Sequence, residues 1–560
     1  METMNSESTD PERTSLVDRL QRCQDSREAG EGDISTELTA ISTHAVHDPN
    51  PSYTLCDIAH ALVVTGTSSD LDALHAVPLL LDIEDPTADE ILSLLAECGN
   101  AKETVMAVQE SLERLYHDLL SSNDFGGIKV FLRLERLFRL YIGAIPRLKL
   151  RRRSASETLK PLFSNVVPVV ESVGDHFKRS EYDSLAQLTC RLVSCMSSWS
   201  AQQGNEQDHS VVKALCRSIL SASVANLTGT KMAQQKFKSC SSRLFQTLGG
   251  DANPESDTLL QECFDAALSL SYSIDKLLQE RTTGSLVLLS IFLSRAMPSI
   301  SMPSPNSLLS SVFPVLIAAL QSNASIDANL NILLHTLYPS TPNTTTSIDP
   351  DYIPPLSSAL ASIASTMPDP QIRFIAFRIL GALLARAPPL EHMTLLRDLL
   401  TETPFPSMRV AAVGLLKDAV LEALRPNVGP NPFASPDMLR TFGYIVFRPD
   451  PPDLFSKPAT RALLESFMET QEPKRLVECL AFYYVLLMRD EHNVTGIRDL
   501  SQIKSVEKDF LSPLRDTLNA WAELEDIQTV DEQAGMALAA LETNLERIGE
   551  AHERLNLKPS

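Results

Sequence analysis

The chain has 560 residues, 43% of them hydrophobic and 21% charged, a composition too apolar for a disordered polymer and sufficient for a large core. Lys and Arg number 49 against 71 Asp and Glu, so the formal net charge is −22. Proteins that coat nucleic acid by neutralising phosphates need the opposite sign, which argues against that activity here.

Residues 1–50 are rich in Ser, Thr, Glu, Asp and Gly without sustained periodicity, and read as a largely disordered acidic leader. The first 100 residues hold 20 acids and 4 bases, whereas residues 125–153 hold 9 bases and 1 acid. From about Thr87 apolar residues recur at helical spacing, as in Val105, Val108, Leu112, Leu115 and Leu119. Helices are predicted over 87–97, 102–121, 128–145, 157–177, 181–199, 209–224, 231–248, 256–279, 281–297, 306–321 and 325–337. They continue over 352–366, 370–387, 389–402, 406–425, 436–446, 458–469, 473–489, 500–525 and 530–555. Alternating β-branched runs closed by Asn-Gly or Asp-Gly turns do not appear, so the predicted fold class is all-α. The 35 prolines fall mostly between the predicted helices, as in 298–305, 339–355, 426–436 and 449–458.

One internal repeat is visible. Pro370, Ile372, Arg373, Ala376 and Leu380 align with Pro406, Met408, Arg409, Ala412 and Leu416 at a constant offset of 36 residues. A proline that opens a helix, an Arg just after it, a small residue one turn on and a Leu beyond is the second-helix pattern of HEAT-like repeats. The small Ala lets neighbouring helices approach, and the Arg can reach carbonyls or carboxylates of the next repeat. The expected architecture is an elongated HEAT-like α-solenoid of stacked antiparallel helix pairs. Its expected organisation is a leader at 1–50, an N-terminal helical-repeat half at 51–300 carrying the basic segment 125–153, and a C-terminal half at 301–560. Pro-rich loops and partner binding are assigned to the C-terminal half.

The segment Thr401-Glu-Thr-Pro-Phe-Pro-Ser-Met-Arg-Val-Ala-Ala-Val-Gly-Leu-Leu-Lys417 resembles the family containing glomulin and the fungal Yap-binding proteins. Glu97-Cys-Gly-Asn-Ala-Lys-Glu103, ahead of an amphipathic helix, is similar to an early element of that family, so the resemblance is taken to run from about residue 80 to about 550. It implies a HEAT-like solenoid without catalytic activity. The family's animal member caps the RING subunit of cullin-RING ubiquitin ligases, and its yeast members assist redox activation of a stress transcription factor and attach to kinetochores. By that resemblance the partner is a RING subunit of a cullin ligase or a stress-responsive bZIP factor. A generic HEAT scaffold in kinetochore assembly or intracellular transport is the alternative.

No Walker loop, Gly-x-Gly-x-x-Gly, His-Glu-x-x-His or Gly-x-Ser-x-Gly is present, so neither an enzyme nor a cofactor is expected. His44, His47, Cys56 and His60 match no common zinc spacing and read as incidental. Nine scattered cysteines suit a reducing compartment, the cytoplasm with the nucleus as a second location, and the chain is expected to be monomeric, to span no membrane and to contact no nucleic acid directly. Cys190 and Cys195 read as buried thiols, and Cys98, at a helix end, as the accessible one.

The basic stretch has three functional readings beside a solvated face that pairs internally. Arg147, Lys149, Arg151, Arg152 and Arg153 form a candidate docking or nuclear-import segment, and Ser154 behind them is a candidate phosphosite. Phe405, Met408 and Arg409 are the candidate partner-binding residues. The prolines on either side hold Phe405 out of any helix, and it serves either as a partner-facing edge or as a plug between stacked helices.

Overall fold

A computed structural model describes residues 15–28, 33–121, 127–173, 177–227, 230–240, 254–295, 303–338, 348–426, 429–523 and 532–555. Among the described residues every regular element is a helix or a helical turn, as the hydrophobic spacing predicts. They divide into two compact units, one of residues 1–303 with 314–332 and one of residues 304–313 with 333–560.

The first unit begins with α1 (Leu16–Glu28), α2 (Ile34–His47), α3 (Leu55–Thr65), α4 (Ala73–Leu80) and α5 (Pro86–Cys98). It continues through α6 (Ala101–Ser121), α7 (Gly127–Ala144), α8 (Ala155–Ser172), α9 (Arg179–Gln202) and α10 (Glu206–Val224). After α11 (Met232–Cys240) come α12 (Pro254–Ser269), α13 (Ile274–Gln279) and α14 (Thr283–Arg295). Odd-numbered helices α1 to α9 pack in succession, even-numbered helices α2 to α10 do the same, and the rows meet where α6 packs on α7 and α9 on α10. This two-row stacking is what one-sided apolar faces produce when each helix pair buries itself against the next. α9 and α10 then pass contacts on to α12 and α14. Gly284 permits the last step, because a Cβ there would stand 1.9 Å from the Ser221 carbonyl oxygen of α10.

α15 (Pro305–Gln321) and α16 (Ile326–Leu337) are each divided between the units. The second unit then holds α17 (Ile353–Thr366), α18 (Pro370–Leu384), α19 (Pro389–Thr401), α20 (Pro406–Ala423) and α21 (Pro436–Val446). It ends with α22 (Arg461–Glu469), α23 (Glu472–Arg489), α24 (Leu500–Val506), α25 (Ser512–Ala522) and α26 (Glu532–Arg554). Here α17 packs on α18 and α20, α19 on α20 and α21, and α23 on α20 and α26.

Several helix ends are closed by side chains from elsewhere in the same unit. Arg136 donates to the Leu80 and Leu81 carbonyls that end α4, at 2.9 and 3.0 Å, and Arg147 to Ala96 and Gly99 at the end of α5. Arg475 does the same for Ile445 in the last turn of α21 and for Arg448 just after it, and Arg498 for Leu487 in α23. At the opposite pole, Asp208 accepts from the first amides of α8, and Asp327 from the Met232 and Ala233 amides that start α11. Cations at carboxyl ends and anions at amino ends satisfy orphan backbone groups and complement the helix dipoles.

Two expectations are corrected. Residues 16–28 and 34–47 of the supposed leader form α1 and α2, with Leu16, Leu20, Ile34, Leu38 and Ile41 buried, while residues 1–14 and 29–32 lie outside the described residues. The cause is a sparse apolar stripe in a polar stretch, which finds its partners only when α3 and α4, also unpredicted, pack against it. The helix predicted over 256–279 is two, broken at Ser271, whose φ of 59° is left-handed. The second half of the helix predicted over 231–248 and residues 339–347 of a Pro-rich connection lie outside the described residues.

Candidate functional site

The two copies of the 36-residue pattern are α18 and α20, and both behave as repeat helices. Each carries Pro at its first turn, and Ala376, Ala412, Leu380 and Leu416 are completely buried. Each Arg folds back to the carbonyl six residues earlier, Arg373 to Met367 at 2.7 Å and Arg409 to Thr403 at 3.2 Å. Arg409 also reaches forward to Asp450, 3.4 Å away in the connection after α21. The Asp450 amide in turn donates to Glu472 at 2.9 Å. Glu472 and Arg475 form a buried, bidentate pair with both hydrogen bonds at 2.6 Å. Burial pushes the Glu472 carboxyl above its ordinary value, and the hydrogen bonds and charge of Arg475 oppose that rise.

A groove of about 790 Å³ lies over α18 and α20, entirely within the second unit. Gly381, Ala382, Ala385, Ala411 and Gly414 give it a floor of small residues, and Tyr338, Phe377, His392 and Phe433 give it aromatic walls. The His392 and Phe433 rings meet edge to face, with centroids 4.9 Å apart. Burial pushes the His392 imidazole down to about 4, so that wall is uncharged at neutral pH. Arg378, Asp418, Glu422 and the Lys417–Glu478 pair at 3.5 Å supply a rim of both signs. A small-residue floor, aromatic walls and a charged rim suit an amphipathic protein segment.

Of the three candidate residues at the family-like segment, Met408 is 3% exposed and belongs to the core, so it offers nothing to a partner. Phe405 is half-buried at the start of α20, and Arg409 is engaged by Thr403 and Asp450. Sequence reading placed the segment but missed the groove, because its lining comes from residues spread over 338–478.

The basic segment divides. Arg133 pairs with Asp82 and Asp118, Arg136 is 2% exposed and pairs with Asp89 at 2.7 Å, and Arg139 pairs with Glu135 at 2.6 Å. Arg147 is bound to carbonyl oxygens of α5, so it is a structural clamp and not part of an exposed docking segment. Lys149, Arg151, Arg152 and Arg153 are exposed, and Ser154 caps α8.

Cys190 does not face Cys195. Its Sγ lies 3.6 Å from that of Cys263 on α12, and this hydrogen bond together with burial pushes the Cys190 thiol well above its ordinary value. Burial also raises Cys195 to about 11 and Cys216 to about 12, which leaves little thiolate at any of them near neutrality. Cys98 is exposed, as are Cys56 and Cys240. Among the described residues no three His, Cys, Asp or Glu side chains gather as a metal site. No helix among them is long and apolar enough to cross a membrane.

Stacked helix pairs whose ends are closed by structural arginines define a helical-repeat protein. The family described as an uncharacterised protein family, YAP/Alf4/glomulin, matches residues 169–548, well over half of the chain. The chain belongs to that family. The matched region contains Thr401–Lys417 and the whole groove, whereas Glu97–Glu103 lies before it. No curated protein matches the chain.

Proposed function

We propose that this chain is a non-catalytic regulator that binds a protein partner through the groove over α18 and α20. The observation that carries the reading is the placement of that groove inside the family-matched region, lined by α20, the helix that follows Phe405. The mixed-charge rim supports recognition of protein over phosphate backbone. Two partner classes follow from the family, namely the RING subunit of a cullin ligase and a stress-responsive bZIP factor. The protein acts in the cytoplasm or the nucleus, where both are found.

The test uses the intact chain with a purified RING–cullin assembly and, separately, with a bZIP factor before and after peroxide treatment. Binding to the first, lost on groove filling by Gly414→Phe, selects ligase regulation. Peroxide-dependent binding to the second selects the stress-factor reading. Failure of both would return the chain to a generic helical-repeat scaffold.

A further inference from the structure

Outside the groove, in the first unit, the connection from Arg147 to α8 carries a feature that the binding role leaves unused. Arg151, Arg152 and Arg153 are the sequence's only run of adjacent arginines. With Lys149 they are exposed and have no ion pair among the described residues, although the protein as a whole is strongly acidic. The connection is fastened at both ends. Arg147 donates to the Gly99 carbonyl at 2.6 Å, and the Leu148 carbonyl accepts from the Trp199 indole at 3.2 Å. On the far side the Ala155 amide donates to Asp208 at 2.8 Å. The arginines are therefore displayed from a fixed frame, three, two and one residues before Ser154.

Ser154 itself is extended, with φ −73° and ψ 169°, and its hydroxyl caps α8 by accepting from the Glu157 amide at 3.2 Å. The Glu157 carboxylate accepts in return from the Ser154 amide at 3.1 Å. Asp208 sits against the same turn. Against the effect of burial, hydrogen bonds from Ser156, Ser154 and the local amides hold its carboxyl below the ordinary value.

We propose that Ser154 is a phosphorylation site for an arginine-directed protein kinase, and that the phosphate frees the first turn of α8 from Asp208 while neutralising the Lys149–Arg153 loop. The Ser154 Oγ attacks the γ-phosphorus of ATP, the new O–P bond replaces the bond to ADP, and the hydroxyl proton passes to the kinase's catalytic carboxylate. Arginines at the third and second positions before the serine supply the charge pattern that such kinases read. The product carries a charge of about −1.5 to −2 at pH 7. It would stand on the turn that Asp208 holds through the Ala155 amide and through Ser156, whose hydroxyl lies 3.1 Å from that of Ser154, and the two like charges repel. The positive end of α8 and the arginines keep the phosphate at the surface, on the loop side.

The test incubates the intact chain with ATP and the catalytic subunit of an arginine-directed kinase, and maps the phosphate by mass spectrometry. Incorporation at Ser154 is expected, slowed roughly tenfold or more in Arg151→Gln/Arg152→Gln. Ser154→Thr, which keeps both the cap and the acceptor hydroxyl, retains incorporation, and Ser154→Ala loses it. In the phosphorylated chain, amide exchange over residues 155–158 is faster than in the unmodified one. Phosphate absent from Ser154, phosphate on Ser156 in its place, or a rate indifferent to the arginines would overturn the site. Unchanged exchange over 155–158 would overturn the release of α8.

Discussion

α18 and α20 start from one sequence pattern and end in different surroundings. In both, proline opens the helix, arginine returns to the preceding connection, and a buried alanine admits the neighbour. Arg373 stops there, holding Met367 and Pro368 at 2.7 and 2.9 Å. Arg409 goes on to Asp450 and, through that residue's amide, to the buried pair Glu472–Arg475. The pattern therefore specifies a stackable helix, and a residue tens of positions away decides which copy is tied to a polar node. The α20 side of the groove floor is tied through its arginine to this node, whereas Arg373 ties the start of α18 to its own preceding connection.

The largest effect is expected at the node. Glu472→Ala or Arg475→Ala leaves one buried charge without its partner and should cost about 3–5 kcal/mol in urea unfolding of the intact chain. A cost below about 1 kcal/mol would mean that the α20 side is no better anchored than the α18 side.

A second prediction concerns pH. His392 is held at about 4, below the 6.5 of an unfolded histidine, so below pH 6.5 the unfolded chain binds the extra proton. The stability that neutral His392 provides is fully present above pH 6.5 and is lost as the pH falls toward 4. Thermal unfolding at pH 5 and pH 7 should differ by about 1–2 kcal/mol more in the parent chain than in His392→Phe. Equal differences would remove the buried histidine from the groove wall.

The two arginines give a smaller contrast. Arg373→Gln and Arg409→Gln should each cost about 1 kcal/mol, since each breaks hydrogen bonds to backbone carbonyls. Only the Arg409 effect should shrink at high salt, because only Arg409 adds a partly exposed ion pair. A salt-independent Arg409 effect would show that Asp450 contributes nothing.

The smallest effects come from the groove floor. A Cβ at Gly414 meets nothing within 4 Å, so Gly414→Ala should raise stability by roughly 0.5–1 kcal/mol, the usual gain for alanine inside a helix. A Cβ at Gly381 stands 3.1 Å from Leu415 Cδ2, so Gly381→Ala should gain less. The reverse order would place the close contact on the wrong helix.

Much of this could be read from the chain. Helical spacing from Thr87 onward gave the all-α class, the repeat gave α18 and α20, and Thr401–Lys417 gave the family. What was hidden depends on distant partners. Arg136 and Arg147 look alike in a basic run, yet each closes a helix that ends 45 or more residues earlier. Met408 and Arg409 are adjacent, but a helix turns one inward and the other toward Asp450. Cys190 finds Cys263, 73 residues on, and not the neighbour that sequence offers. α1 and α2 escaped because their apolar stripes are short and interrupted by polar residues, and become a core only against α3 and α4.

The account rests on the groove as the partner-binding surface, and Gly414→Phe tests it most directly, because Gly414 lines the groove and a Cβ there meets nothing within 4 Å. Calorimetric titration of the RING–cullin assembly or the bZIP factor into parent and Gly414→Phe chains, each first checked for an unchanged unfolding temperature, is the measurement. The account predicts binding by the parent and at least a tenfold weaker Kd, about 1.4 kcal/mol, for the filled groove. Equal affinity in the two chains would contradict it.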